Sequence, residues 1–287
     1  MPAGGAGAPP LAGLRVALDA AHGAAAPFAR ALFERLGAAV VMLGDRPDGT
    51  NINQGCGSTH PERLAATVPR EGCHLGIAFD GDADRALLVD ETGTVRDGDA
   101  ILYLWARRLH QAGELEPARI VATSMSNLGL EKALAALGIG VERCGVGDRE
   151  VVETMRRLGL VLGGEQSGHV VHLGLSNTGD GLLTGLSLAA LIAAEGRPLS
   201  ELLDGFTRYP QVLLNTRVAS KPDLDTLPAV REVRERVERE LAGDGRLVLR
   251  YSGTEPMARV MIEGPDQERI ERLAGELVAA IEREIGA

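Results

Sequence analysis

The chain has 287 residues, 45% of them hydrophobic and only 3% aromatic, with a formal net charge of −10. That length fits two or three domains, the acidic balance excludes nucleic-acid backbone binding as the main purpose, and no apolar run approaches the roughly 18 residues of a membrane span. Three cysteines, Cys56, Cys73 and Cys144, form no C-x-x-C pair, which excludes a disulfide framework or structural zinc site and fits a reducing cytoplasm.

Residues 1–10, MPAGGAGAPP, lack the basic start and apolar stretch of a signal peptide and read as a linker. Next, LRVALDA (14–20) is a buried-strand run, PFARALFERLG (27–37) has helical spacing that stops at Gly37, and AVVML (39–43) is again a strand. A short helix over HPERLAATVP, a strand over HLGIAF and a strand with its turn over RALLVDETGT complete a first α/β segment, residues 11–113. The same rhythm recurs over 114–197. There RIVAT, VERCGV and LVLGG read as strands, and NLGLEKALAALG, DREVVETMRRLG and GDGLLTGLSLAALIAAEG as helices. Over 198–287 the order is strand (QVLLNTRV), charged amphipathic helix, two strands flanking a turn (RLVLR, ARVMIEG) and a last amphipathic helix. The fold class expected is therefore α/β: two three-layer α/β domains followed by a small α+β domain.

Three loops carry chemistry. The first, DGDADR, follows an apolar strand and sets Asp80, Asp82 and Asp84 at alternate positions. Burying such carboxylates without a counter-charge costs several kcal/mol or more, and oxygen-only donors suit Mg²⁺, Ca²⁺ or Mn²⁺. Arg85 puts a positive charge where an incoming phosphate would meet it and the metal together. Three other readings stand beside this one. An EF-hand would use Glu91 at its twelfth position, but has Arg85 where glycine is required. A phosphatase with a carboxylate nucleophile also places D-x-D behind a strand, and a solvated acidic turn needs no ligand at all.

The second loop, GGEQSGH (163–169), offers Glu165, Ser167 and His169 to a polyhydroxylated ligand, and imidazole is the side chain that exchanges protons near neutral pH. An idle surface loop is the alternative. The third, RYSGTEPMAR (250–259), presents the Ser252 and Thr254 hydroxyls, the Gly253 backbone and the guanidinium groups of Arg250 and Arg259 to an anion, unless it is an ordinary hairpin turn. Together the loops describe metal, sugar and phosphate contacts of one cleft.

In the order and spelling of these loops, from Leu11 to the C-terminus, the chain resembles the α-D-phosphohexomutase superfamily. NINQGCGSTHPE (51–62), SNLGLEKAL, VGDREVVE and GEQSGH are similar to its phosphoglucosamine mutase branch. The resemblance implies that Asp80, Asp82 and Asp84 hold one Mg²⁺ and that Arg85 steadies the phosphoryl group. It further implies that Glu165 and Ser167 bind sugar hydroxyls, that His169 is a general acid/base, and that Arg250, Ser252, Gly253, Thr254 and Arg259 grip the phosphate that stays. The implied reaction interconverts glucosamine 6-phosphate and glucosamine 1-phosphate, with a 1,6-bisphosphate as intermediate and activator.

The family's nucleophilic serine lies in a motif like S-A-S-H-N-P, and no such string occurs here; TSMSN (123–127) lacks the histidine. Tyr251 also stands where the branch usually has proline. The expectation is a mutase without its serine domain, inactive alone, partnered by a separate serine-bearing domain, with an exposed apolar patch or self-association where that domain would sit. A non-catalytic hexosamine-phosphate-binding homologue and an Asp80-nucleophile phosphatase are the alternatives.

Overall fold

The computed structural model describes residues 8–287, so the linker expected over residues 1–10 lies largely outside the described residues. The chain forms two compact units: residues up to Ser126 with Leu130–Thr207, and Asn127–Gly129 with Arg208–Ala287.

In the first unit, β1 (Arg15–Asp19), α1 (Ala29–Arg35), β2 (Ala39–Leu43), α2 (Glu62–Arg70), β3 (Leu75–Phe79), β4 (Ala86–Asp90) and β5 (Val95–Arg96) follow in order. The strands form one sheet, β2-β1-β3-β4-β5, parallel from β2 to β3 and antiparallel beyond. Alternation along the strands makes three layers. Val16, Leu18, Ile77 and Phe79 point into a large core on one face, while Ala17, Ala78 and Val89 pack with Leu64 and Val68 of α2 on the other.

Helix α3 (Gly98–Gln111) leads to a second sheet built from β6 (Arg119–Thr123), β7 (Gly140–Cys144), β8 (Leu162–Gly164) and β9 (Val170–His172), in the order β7-β6-β8-β9. Here α4 (Leu128–Ala135), α5 (Asp148–Leu158), α6 (Gly181–Glu195) and α7 (Leu199–Leu202) complete the layers. Val121 and Val171 pack on Val151 and Met155 of α5, whereas Ile120, Ala122, Leu162 and Val170 face the large core. That core is continuous through α3 and α6, so both α/β sandwiches share one interior. Alongside it, Phe28 just before α1 and Leu32 within it, one helical turn apart, are 58% and 38% exposed.

The second unit holds β10 (Gln211–Arg217), α8 (Pro228–Leu241), β11 (Arg246–Tyr251), β12 (Met257–Glu263) and α9 (Gln267–Ile285). Its antiparallel sheet, β10-β12-β11, buries Val212, Ala258, Val260 and Ile262 against Val230, Val237, Leu273 and Leu277 of the two helices. The charged faces of α8 and α9 are solvated, laced by pairs such as Arg272–Glu276 (2.7 Å). Among the described residues no helix is long and apolar enough to cross a membrane.

Candidate active site

The aspartate loop leaves the carboxyl end of β3, the edge of a parallel sheet where ligands of α/β folds collect. One oxygen each from Asp80, Asp82 and Asp84 lies within 4.8 Å of the others. The loop folds on itself: the Arg85 backbone N–H donates to Asp80 Oδ1 at 3.1 Å, and the Arg85 guanidinium sits 3.7 Å from Asp80 and 3.6 Å from Asp84. That single cation does not balance three carboxylates. Burial, then hydrogen bonding and repulsion from Asp84 and Asp82, push the Asp80 carboxyl up to about 7, against the Arg85 N–H. A raised acid of this kind, together with an Asp84 Oδ1 that is buried without a hydrogen bond, is what a divalent cation with oxygen ligands would relieve, so the donor set fits Mg²⁺.

The surrounding backbone is held in a sparsely populated conformation. Ala21, His22, Asn53 and Ala83 have φ values of 53°, 51°, 58° and 64°, a cluster typical of functional loops. The 51–62 segment explains part of it, since Asn53 N–H donates to Ala21 O at 2.9 Å and Ser58 N–H to Phe79 O at 2.8 Å. It thereby wraps the carboxyl ends of β1 and β3. The EF-hand reading fails here, because the Glu91 carboxylate takes the backbone N–H (3.3 Å) and the hydroxyl of Ser200 instead.

The 165–169 loop docks directly on the aspartate loop. Ala86 N–H donates to Gly168 O at 3.1 Å, and Gly98 N–H at the start of α3 donates to Gln166 O at 3.0 Å. The N-terminus of α6 joins them, Gly181 N–H donating to Ala83 O at 2.8 Å. Within the loop Glu165 is buried, one oxygen accepting Gly147 N–H (2.9 Å) and the other the Ser167 hydroxyl (3.1 Å). His169 is not an idle surface residue: its ring is 1% exposed, and Nε2 lies 3.8 Å from Asp84 Oδ2 and 3.7 Å from Asp148 Oδ2. Asp80, Asp82, Asp84, Arg85, Glu165, Ser167 and His169 therefore belong to one constellation inside the first unit.

The remaining candidates lie in the second unit, on the hairpin joining β11 and β12. Arg250 and Arg259 are directly paired across the strands, so their side chains share a face and repel. Arg259 donates to Ser252 Oγ (3.4 Å) and Glu255 (3.3 Å), but its Nε is buried without a partner. A Cβ at Gly253 would meet nothing within 4 Å, so the turn leaves open space. Lys221 completes the basic rim by donating to Ser252 O at 2.6 Å. Donors of this kind beside open space suit an anion. Arg259→Ala is expected to weaken inorganic phosphate binding roughly tenfold or more, the worth of one charge-assisted hydrogen bond. The readout is the phosphate-dependent rise in unfolding temperature of the second unit, and an unchanged phosphate affinity would refute the assignment.

Two participants escaped the sequence reading. The sequence presents Asp148 only as the start of a helix, behind a glycine and in an acidic first turn; in the structure Gly147 has φ 128° and supplies no capping side chain. Lys221 lies in a loop, and nothing in SKPD (220–223) announces a partner at residue 252.

Three family models match: phosphoglucomutase/phosphomannomutase α/β/α domain II over residues 7–93, domain III over 97–209 and the C-terminal domain over 213–280. The curated phosphoglucosamine mutase of Syntrophotalea carbinolica is 49% identical over 276 residues, 96% of this chain and 60% of that protein. A phosphoglucomutase/phosphomannomutase family protein from Burkholderia thailandensis superposes with a TM-score of 0.77 at 25% identity, over 94% of this chain and 60% of that one. The N-acetylphosphoglucosamine mutase of Aspergillus fumigatus, solved with GlcNAc-6P and magnesium, shares the fold at a TM-score of 0.72 and 22% identity, over 97% of this chain and 64% of that one. The chain thus spans about 60% of the length of the curated relatives it matches. With three consecutive domain models covering nearly all of it, the chain belongs to the phosphoglucomutase/phosphomannomutase family of phosphohexomutases.

Proposed function

We propose that the chain supplies the metal-, sugar- and phosphate-holding parts of a cytoplasmic phosphoglucosamine mutase, which interconverts glucosamine 6-phosphate and glucosamine 1-phosphate through a 1,6-bisphosphate. The observation that carries this reading is the direct hydrogen bonding of the 165–169 loop and the α6 N-terminus to the aspartate loop, through Ala86–Gly168 and Gly181–Ala83. Loops joined in this way would offer a cation site, a cationic side chain and sugar contacts to one ligand. The naming of relatives about half identical as phosphoglucosamine mutases supports the amino-sugar substrate.

Asp80, Asp82 and Asp84 would hold Mg²⁺, which when bound supplies positive charge to phosphoryl oxygens. Arg85 adds a second cation at the same edge, oriented by its contacts to Asp80 and Asp84. Glu165, fixed by Gly147 and Ser167, presents its remaining lone pairs to sugar hydroxyls, and Ser167 keeps its own oxygen free to accept. His169 is buried beside this point and moves a proton to or from the hydroxyl that gains or loses the phosphoryl group. Arg250, Ser252, Gly253, Thr254 and Arg259 hold the phosphate that is not transferred.

The nucleophilic serine has no S-A-S-H-N-P-like string among these 287 residues and is proposed to come from a serine-bearing domain in another segment. The test is conversion of glucosamine 6-phosphate with Mg²⁺ and a bisphosphate primer, with and without that domain added separately. Turnover is expected only with it. Turnover by the chain alone would reveal another nucleophile, and no turnover in either case would refute the mutase reading.

A further inference from the structure

The contacts of His169 extend beyond proton transfer. Its imidazole is 1% exposed and makes no hydrogen bond among the described residues; Nδ1 is buried without a partner, and Nε2 faces Asp84 and Asp148 at 3.8 and 3.7 Å. A nitrogen at that range from two carboxylates is too far to donate a hydrogen bond to either. Gly179 backs the ring, where a Cβ would stand 2.3 Å from Nε2, so only glycine leaves this nitrogen open.

The three donor atoms, one nitrogen and two oxygens, all lie within 4.8 Å of one another. A tetrahedral ion with bonds of about 2.0–2.1 Å spreads its donors roughly 3.3 Å apart, so the two nitrogen–oxygen distances need to shorten by about half an ångström and the oxygen–oxygen distance by up to about 1.5 Å, within reach of the half-exposed Asp148 side chain. A mixed nitrogen and oxygen set suits a borderline ion such as Zn²⁺, whereas Mg²⁺ prefers oxygens and retained waters. We propose that Asp84, Asp148 and His169 form a Zn²⁺ site that shares Asp84 with the three-aspartate site, so that Zn²⁺ takes Asp84 and His169 out of service together.

The competition with Mg²⁺ rests on the magnesium reading above; the Zn²⁺ site itself does not. The missing acceptor for Nδ1 sets its strength, because ligating histidines ordinarily donate their other N–H to a fixed partner and lose affinity without one. The site is thus a reversible regulatory one and not a structural zinc.

The experiment is a Co²⁺ titration of the full chain followed by visible absorption, with displacement by Zn²⁺. The intense visible bands of four-coordinate Co²⁺ are expected, bleached by Zn²⁺. Asp148→Asn, at a half-exposed position, should weaken Co²⁺ binding at least tenfold. Asp82→Asn should keep the bands and lose the rise in unfolding temperature caused by Mg²⁺. Bands that follow Asp148 while Mg²⁺ fails to stabilise the wild type would uphold the Zn²⁺ site and sink the magnesium reading alone. Unchanged Co²⁺ affinity in Asp148→Asn, only the weak bands of six-coordinate Co²⁺, or a near-ultraviolet sulfur-to-cobalt band pointing to Cys144 would each overturn the proposal.

Discussion

In a chelating buffer, the first unit is expected to lose stability as the pH rises from 4 to 7, and Mg²⁺ is expected to restore it. The Asp80 carboxyl stands at about 7 in the folded protein against an ordinary 3.8, chiefly through burial and then through Asp84 and Asp82. It therefore holds its proton more tightly folded than unfolded. That contribution is fully present below 3.8 and is lost as the pH climbs through about 7, so stability falls with rising pH across this window. Solvent reaches part of the loop and screens the repulsion, which brings the expected loss to roughly 1–3 kcal/mol.

Two other groups must be kept apart from it. Burial lowers the His172 imidazole, so His172 adds stability as the pH rises towards its ordinary value of 6.5, in the opposite sense. Asp90 is lowered despite its burial by Thr92, Thr94 and Arg96, and acts only below 3.8. The difference between wild type and Asp80→Asn isolates the Asp80 contribution. Urea unfolding followed by Trp105, the single tryptophan and a buried residue of the first unit, is the measurement. Mg²⁺ binds the ionised form, so it should stabilise the wild type more at pH 8 than at pH 5 and Asp80→Asn little at either. Equal stabilisation at both pH values would show that the raised carboxyl is not a ligand.

How far the molecule was legible beforehand depended on whether a signal was local. The strand runs at 15–19, 39–43 and 75–79 were readable as short apolar runs of strand length, and the helix over 228–241 because its apolar period is set by one packed face. Helix α3 went unnamed for the opposite reason. Residues 98–106 are buried all round, since the helix packs against β4, β5, β8, β9 and α6 together, and an element enclosed on every side shows no amphipathic stripe. The aspartate loop was readable because repelling charges at alternate positions demand an explanation. The pairing of His169 with Asp148 was not, because it is made where β9 and α5 meet in space, 21 positions apart in sequence. Lys221 at Ser252 has the same origin. Side-chain types announce chemistry locally, whereas the partners that orient them are chosen by topology.

That dependence on topology sets the second large effect. Gly168→Ala is expected to cost roughly 2–5 kcal/mol, combining about 1–2 kcal/mol for a side chain in the left-handed region with about 1–3 kcal/mol for overpacking. Gly168 has φ 94°, and a Cβ there would lie 2.3 Å from Ala86 O, a backbone atom that cannot swing aside. Relief requires the 165–169 loop to back away from β4, which breaks the hydrogen bond from Ala86 N–H to Gly168 O and carries His169 away from Asp84. Loss of stability and loss of the reconstituted turnover should therefore appear together. Gly275→Ala is the matched control. It lies exposed within α9, where a Cβ meets nothing within 4 Å, and should stabilise the second unit by roughly 0.5–1 kcal/mol. Calorimetry on both variants decides the matter. If Gly168→Ala unfolds like the wild type, the close approach of the two loops is wrong, and with it the argument that metal-holding and sugar-holding residues act on one ligand.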